Sequence, residues 1–157
     1  MIEGEYKGIL TKLTSLCARG EHSSGEIVEK MRKWEVPEKV QAKIMDYLIS
    51  NKFIDDNRYA TAFVSDKIKY NKWGRRKIDQ ALMMKGVTED IRKSALESIE
   101  REEYEEILIP LLQSKLRSTN AKNEYELRGK LMRFAFGRGF DMDTIVRCID
   151  KICSTHC

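Results

Sequence analysis

Histidine and proline are almost missing from this sequence, two residues of each in 157. With only His22 and His156 available, a histidine-based triad or metal centre has little to draw on. With only Pro37 and Pro110, long stretches can run as uninterrupted helix. No apolar run approaches the roughly 20 residues that would cross a bilayer. The sequence contains no GxxxxGK[ST] phosphate loop, no GxGxxG after a strand, no HExxH and no GxSxG. No catalytic residue, cofactor or metal site is therefore assigned. The alternation that marks strands is also lacking.

The amino-terminal stretch carries Glu3 and Glu5, and Lys12 interrupts its apolar residues, so it lacks the basic start and apolar run of a secretory signal. A cytoplasmic location is expected, with Cys17, Cys148, Cys153 and Cys157 as reduced thiols. Cys153, His156 and Cys157 lie close together, but strong zinc patterns use two well-separated ligand pairs around a loop. A buried Cys148 and a frayed helix end are the preferred reading.

What is present is a charged, helix-favouring composition: 34% charged, 41% hydrophobic, net charge +4. So small an excess means that any anionic partner must be met by local patches. The most informative stretch is Phe53–Val87. Asp55 and Asp56 precede Tyr59, Ala60, Phe63, Val64 and Ile68, whose three- and four-residue steps give one apolar helix face with acids at its start. Adjacent acids there are read as capping groups and not as a catalytic carboxylate pair. The pattern breaks at Trp73-Gly74, resumes at Ile78, Ala81 and Leu82, and stops at Lys85-Gly86, a usual helix ending. Two helices joined by a short aromatic-glycine turn are predicted.

Around that turn stand Lys67, Lys69, Lys72, Arg75, Arg76 and Lys77, with Tyr70 and Trp73 interleaved and no acid between Lys67 and Lys77. Such a patch suits an anionic partner, the alternative being a solvated basic face. Trp73 can stack on a base or plug the helix junction. Lys115, Arg117, Lys122, Arg128, Lys130, Arg133 and Arg138 form a second patch, diluted by Glu124 and Glu126.

An internal repeat organises the chain. At an offset of 51 the burial pattern pairs Ile9 with Ala60, Leu13 with Val64, Cys17 with Ile68, Ile27 with Ile78 and Met31 with Leu82, and continues through Val36 with Val87, Val40 with Ile91, Ile44 with Ala95 and Leu48 with Ile99. A third copy places Phe140 where Val36 and Val87 stand, with Pro110 kinking its first helix or delaying that helix's start. The predicted fold is all-α: three tandem three-helix repeats, 1–54, 55–100 and 101–157, forming an elongated, curved array. If the repeats turn both basic patches to one side, they make a discontinuous basic track.

Phe53-Ile54-Asp55-Asp56-Asn57-Arg58-Tyr59-Ala60, then Trp73-Gly74-Arg75-Arg76-Lys77-Ile78 and Lys85-Gly86-Val87, resemble the RecX regulatory proteins of bacterial recombination. Arg138-Gly139-Phe140-Asp141 is similar to the family's third-repeat counterpart. Lys52 stands where the family usually has glycine, and Asn71-Lys72-Trp73 departs from its commonest sequence. The resemblance implies a non-enzymatic regulator that binds the RecA recombinase filament on single-stranded DNA. Such a regulator would modulate, and usually inhibit, the recombinase's ATPase, strand-exchange and co-protease activities in DNA repair and the SOS response. Carried over onto this sequence, the contact residues are Arg58, Lys67, Lys69, Lys72, Trp73, Arg75, Arg76 and Lys77, joined from the second patch by Arg128, Lys130, Arg133 and Arg138. Tyr59, Phe63, Ile78 and Leu82 are expected to pack. A monomer is expected, and the alternative function is a stand-alone nucleic-acid-binding helical module.

Overall fold

The computed structural model describes residues 4–156, the side chains of 154–156 excepted. Among the described residues the structure is 79% helical, with nine α-helices and no strand. The helices are α1 (Gly4–Arg19), α2 (Ser24–Lys33), α3 (Glu38–Ser50), α4 (Asp56–Asp66), α5 (Arg75–Met84), α6 (Glu89–Glu97), α7 (Arg101–Ser118), α8 (Glu124–Gly137) and α9 (Met142–His156). A π-helical turn, Lys67–Asn71, continues α4. No described helix is long and apolar enough to cross a membrane.

The repeat register holds at six of the nine paired positions, Val40 and Ile91 both being half-buried, while Ile9, Cys17 and Ile99 are less buried than their partners. Leu13, Ile27, Met31, Val36 and Ile44 are buried, and so are their partners Val64, Ile78, Leu82, Val87 and Ala95. Three helix endings are built alike. Glu35, Gly86 and Gly139 take the left-handed conformation, with φ of 57°, 79° and 93°. The buried residue after each donates its N–H back into the helix: Val36 to the Met31 carbonyl, Val87 to Leu82 and Phe140 to Ala135, at 3.0, 3.2 and 3.3 Å. This is the glycine-type helix stop, in which a left-handed residue lets the chain reverse and satisfy an orphan carbonyl. Lys52, φ 60°, ends α3 in the same way, and the Phe53 N–H donates to the Leu48 carbonyl at 2.8 Å. The glycine expected at that position by family resemblance has its physical reason in this φ.

Helix starts follow the sequence with two refinements. Asp55 caps α4, its Oδ1 accepting from the Asn57 and Arg58 N–H groups at 3.0 and 3.2 Å. Asp56 instead accepts from the Ser24 N–H and hydroxyl at 2.7 and 2.5 Å, so the acids serve two helix starts. Pro37 sits one residue outside α3, and α7 runs straight through Pro110.

The chain packs as two compact units, Met1–Ala62 with Leu82–Arg92, and Phe63–Ala81 with Lys93–Cys157. The first is centred on Leu13, Ile27, Met31, Val36, Ile44, Leu48 and Ile54. In the second, α7 packs on α8 and α9 and carries the π-helical turn. Here Glu105, a buried carboxylate on α7, takes Arg147 and Lys151 of α9 at 3.8 and 3.4 Å. Cys17 and Cys148 are free thiols, and burial pushes the Cys148 thiol up to about 11. Cys153 is disulfide-bonded, contrary to the expectation of reduced thiols. The side chains of His156 and Cys157, invoked in the zinc reading of the tail, lie outside the described residues.

Candidate partner-binding site

The site is assembled on the turn between α4 and α5, within the second unit. The π-helical turn ends at Lys72, a left-handed residue with φ 55°, whose N–H donates to the Lys67 carbonyl. Trp73 follows, donating its N–H to the same carbonyl at 3.2 Å. π-helical turns are uncommon and concentrate where a helix is locally reshaped for function. Gly74 then meets the α8–α9 turn at a distance no other residue tolerates, since a Cβ there would lie 2.3 Å from the Phe140 nitrogen. Two backbone hydrogen bonds lock the contact, from the Gly74 N–H to the Arg138 carbonyl and from the Arg76 N–H to the Gly139 carbonyl, both 2.9 Å.

Side chains reinforce it. The Arg75 guanidinium grips Asp141 through two hydrogen bonds of 2.8 and 3.2 Å, and this pairing holds its pKa above the ordinary value. Arg76 donates to the Phe136 carbonyl at 2.8 Å and lies 3.8 Å over the Phe136 ring, although its buried Nε has no hydrogen-bond partner among the described residues. Arg138 reaches back to the Asn71 carbonyl at 3.5 Å and stands 5.4 Å over Phe134. Tyr104 is buried in the same unit. Burial pushes its hydroxyl up to about 12, Arg75 opposing the shift.

The cations of the turn fall into two kinds. Arg75, Arg76 and Arg138 spend hydrogen bonds on the chain itself. Lys69 and Lys72 are exposed, while the Lys67 and Lys77 ammoniums stand over the half-buried Trp73 ring, 5.1 and 4.8 Å from its centroid. Lys67 also lies 5.2 Å over Phe63. Beside them Tyr70 is 79% exposed, which makes it the aromatic of the turn most open to a partner.

The remaining predicted contacts divide. Arg128 is held by Asp150 and Glu124. Lys130 is held by Glu126 at 3.2 Å and the Asn120 carbonyl at 2.6 Å. Arg133 is exposed and lines an open groove with Tyr125, Gly129 and Met132. Arg58 belongs to the first unit, where its guanidinium donates to Glu21 at 2.5 Å and to the Lys52 carbonyl at 3.2 Å. The structure therefore gathers Lys67 through Lys77 with Arg138 in the second unit, and Arg58 belongs to the first. Sequence reasoning missed the partners that hold the site: Asp141, Phe136, Phe134 and the Asn71 carbonyl. The offset-51 repeat contained the needed signal, because it aligned Gly86-Val87 with the turn that Gly139-Phe140 repeats.

Comparison with known proteins gives a consistent answer. Two family models match: the RecX second three-helix domain over residues 55–96 and the RecX third three-helix domain over residues 102–149. A regulatory protein RecX of Clostridium botulinum (strain Eklund 17B / Type B) is 38% identical over 105 residues, 66% of this chain and 49% of that protein. One from Acinetobacter baylyi is 30% identical over 148 residues, 90% of this chain and 89% of that protein. The chain thus spans about half the length of the clostridial relative and most of the Acinetobacter one. The crystal structure of RecX from Lactobacillus salivarius superposes with a TM-score of 0.82 at 20% identity, covering 90% of this chain and 95% of that one, a likeness of fold. With two domain models over more than half of its residues and a relative matched along most of both lengths, the chain belongs to the RecX family.

Proposed function

We propose that this chain regulates recombination by binding the RecA recombinase filament on single-stranded DNA, modulating, and in the direction of inhibition, its ATPase, strand-exchange and co-protease activities. The observation that carries the reading is the locked basic turn: Lys67, Lys69, Lys72 and Lys77 keep their charge without an ion pair among the described residues, on a backbone fixed by Gly74 and Arg76. Positive charge presented on a rigid element suits a polyanionic filament, because little order has to be gained on binding. No family of enzymes is indicated by the relatives, and the proposed action needs no catalytic group. Several weak contacts on one chain supply avidity instead.

Lys67, Lys69, Lys72, Lys77 and Arg133 are the proposed contacts, with Trp73, Arg75, Arg76 and Arg138 shaping the surface. Arg58, Arg128 and Lys130 would join only by giving up their carboxylate partners. The test is the single-stranded-DNA-dependent ATPase rate of the cognate recombinase as this protein is titrated in at fixed, moderate salt. Inhibition well below one chain per recombinase subunit, with DNA in excess, is the expected result. Inhibition relieved by adding DNA would instead indicate competition for the strand, the behaviour of a stand-alone nucleic-acid-binding module.

A further inference from the structure

Among the described residues of the second unit, five cations lie over aromatic rings: Lys67 on Phe63 and on Trp73, Lys77 on Trp73, Arg76 on Phe136, and Lys115 and Arg138 on Phe134. That is six contacts made by five side chains. The first unit has one such contact, Lys12 over Trp34, and pairs Arg58 with Glu21, Lys85 with Glu26 and Arg32 with Glu29. The physical difference is that a salt bridge fixes a cation and cancels its charge, whereas an aromatic face fixes it and leaves the charge available. Lys67 and Lys77 share one indole, and neither has a carboxylate within 4.0 Å among the described residues. Two ammoniums on one ring without a carboxylate partner favour an anion from outside the chain. Arg138 adds a third positive group through its bond to Asn71, two residues before Trp73.

We propose that Lys67 and Lys77, positioned by Trp73 and backed by Arg138, form a phosphate-binding pair for the sugar-phosphate backbone of single-stranded nucleic acid. Trp73 is then a positioning residue and not a platform for a base: half-buried and overlaid by two ammoniums, it holds charge. The inference deepens the filament reading by naming the chemistry that this turn recognises, and it rests on that reading for the turn being a binding surface.

The experiment measures binding of the full chain, without recombinase, to a short oligothymidylate and to an abasic strand of the same length across a salt series. Both strands should bind within about twofold of each other, because backbone contacts ignore the base. Lys67→Gln with Lys77→Gln should weaken both by about tenfold or more and lower the salt slope by about 1.4, the release expected for two single-strand phosphate contacts. Trp73→Phe should keep the slope, since a ring still carries the ammoniums, whereas Trp73→Ala should lower it for both strands alike. Failure of the abasic strand to bind, or a Trp73→Ala loss confined to oligothymidylate, would overturn the proposal in favour of base stacking. An unchanged slope in the double lysine variant would overturn it too. The recombinase ATPase assay separates the two readings. Inhibition with neither strand bound sinks the phosphate pair and leaves the filament reading standing. Binding as predicted with no inhibition does the reverse.

Discussion

The starts of α2 and α5 are equivalent in the repeat and solve one problem with different chemistry. Each presents backbone N–H groups that lack a partner within the helix, and each is met by a glycine-ended turn from further along the chain. At α2 the answer is local in part: the Ser23 hydroxyl accepts from the Glu26 N–H and the Glu26 carboxylate accepts from the Ser23 N–H, while Asp56, further along the chain, takes the Ser24 N–H. The incoming turn adds a bond from the Ser23 hydroxyl to the Lys85 carbonyl at 2.6 Å. At α5 the answer is tertiary. The helix opens on Gly74, which has no side chain to cap with, and its donors are taken by the Arg138 and Gly139 carbonyls. The lesson is that α2 carries a capping box of its own beside its long-range contacts, whereas α5, and with it the basic turn, is ordered by residues more than sixty positions away.

The largest break in this comparison comes from the core beneath the α5 start. Ile78→Asp puts an unpaired charge on a side chain that is 0% exposed, and should cost about 4 kcal/mol or more, read as loss of the cooperative melt of the second unit. Retained stability would mean that the helix faces are misassigned. Gly74→Ala comes next. Its Cβ would press on backbone at Phe140 and Gly139, which cannot swing aside as a side chain can, so a loss on the order of 3 kcal/mol is expected in denaturant melts. Gly8→Ala is the matched control. It lies within α1 with nothing within 4 Å of a new Cβ, and should stabilise by about 0.5–1 kcal/mol. Equal effects of the two alanines would abolish the claim that close approach, and not helix propensity, governs Gly74.

Lys52→Gly tests the left-handed end of α3 from the opposite direction. Lys52 holds φ 60° with a side chain in place, and glycine should relieve roughly 1 kcal/mol. A rise of a few degrees in Tm is expected, and a fall would show that the lysine stem contributes packing that outweighs the strain.

These cases also mark what the sequence could tell. Helix faces were legible because burial follows a period of 3.6, so Ile27 and Ile78 could be paired without knowing any contact. Asp55 was legible as a cap because capping is local. The π-helical turn was not, since Lys67–Asn71 carries no residue type that distinguishes it from a continuing helix, and only Trp73-Gly74 announced a break. Of the candidate site, its location on the basic turn was legible and its internal division was not. Arg75 and Lys77 look alike as charges two positions apart, yet one is bound to Asp141, 66 residues away, and the other lies on Trp73. Nothing local separates a cation that will be neutralised from one that will be displayed.

The smallest effect sharpens the comparison most directly, because a carboxylate belongs to the cap of one helix start and backbone carbonyls cap the other. Burial alone would raise the Glu26 pKa, but the Ser23 N–H and the Lys85 ammonium outweigh it and hold the carboxyl below its ordinary value. A carboxylate depressed in the folded state stabilises that state above its unfolded pKa, and the contribution disappears as pH falls through the folded value. Acidification from neutral pH to below about 4 should therefore loosen the α2 start, seen as lower hydrogen-exchange protection of the Glu26 amide after correction for intrinsic rates. The Arg76 amide, bonded to the Gly139 carbonyl at 2.9 Å, has a non-titrating acceptor and should hold its protection over the same range. Glu26→Gln should remove most of the pH dependence at α2 while leaving α5 as it was. If both amides lost protection together in that variant as in the wild type, the two starts would be opening as one cooperative event, and the distinction between a local and a tertiary cap would have no energetic content.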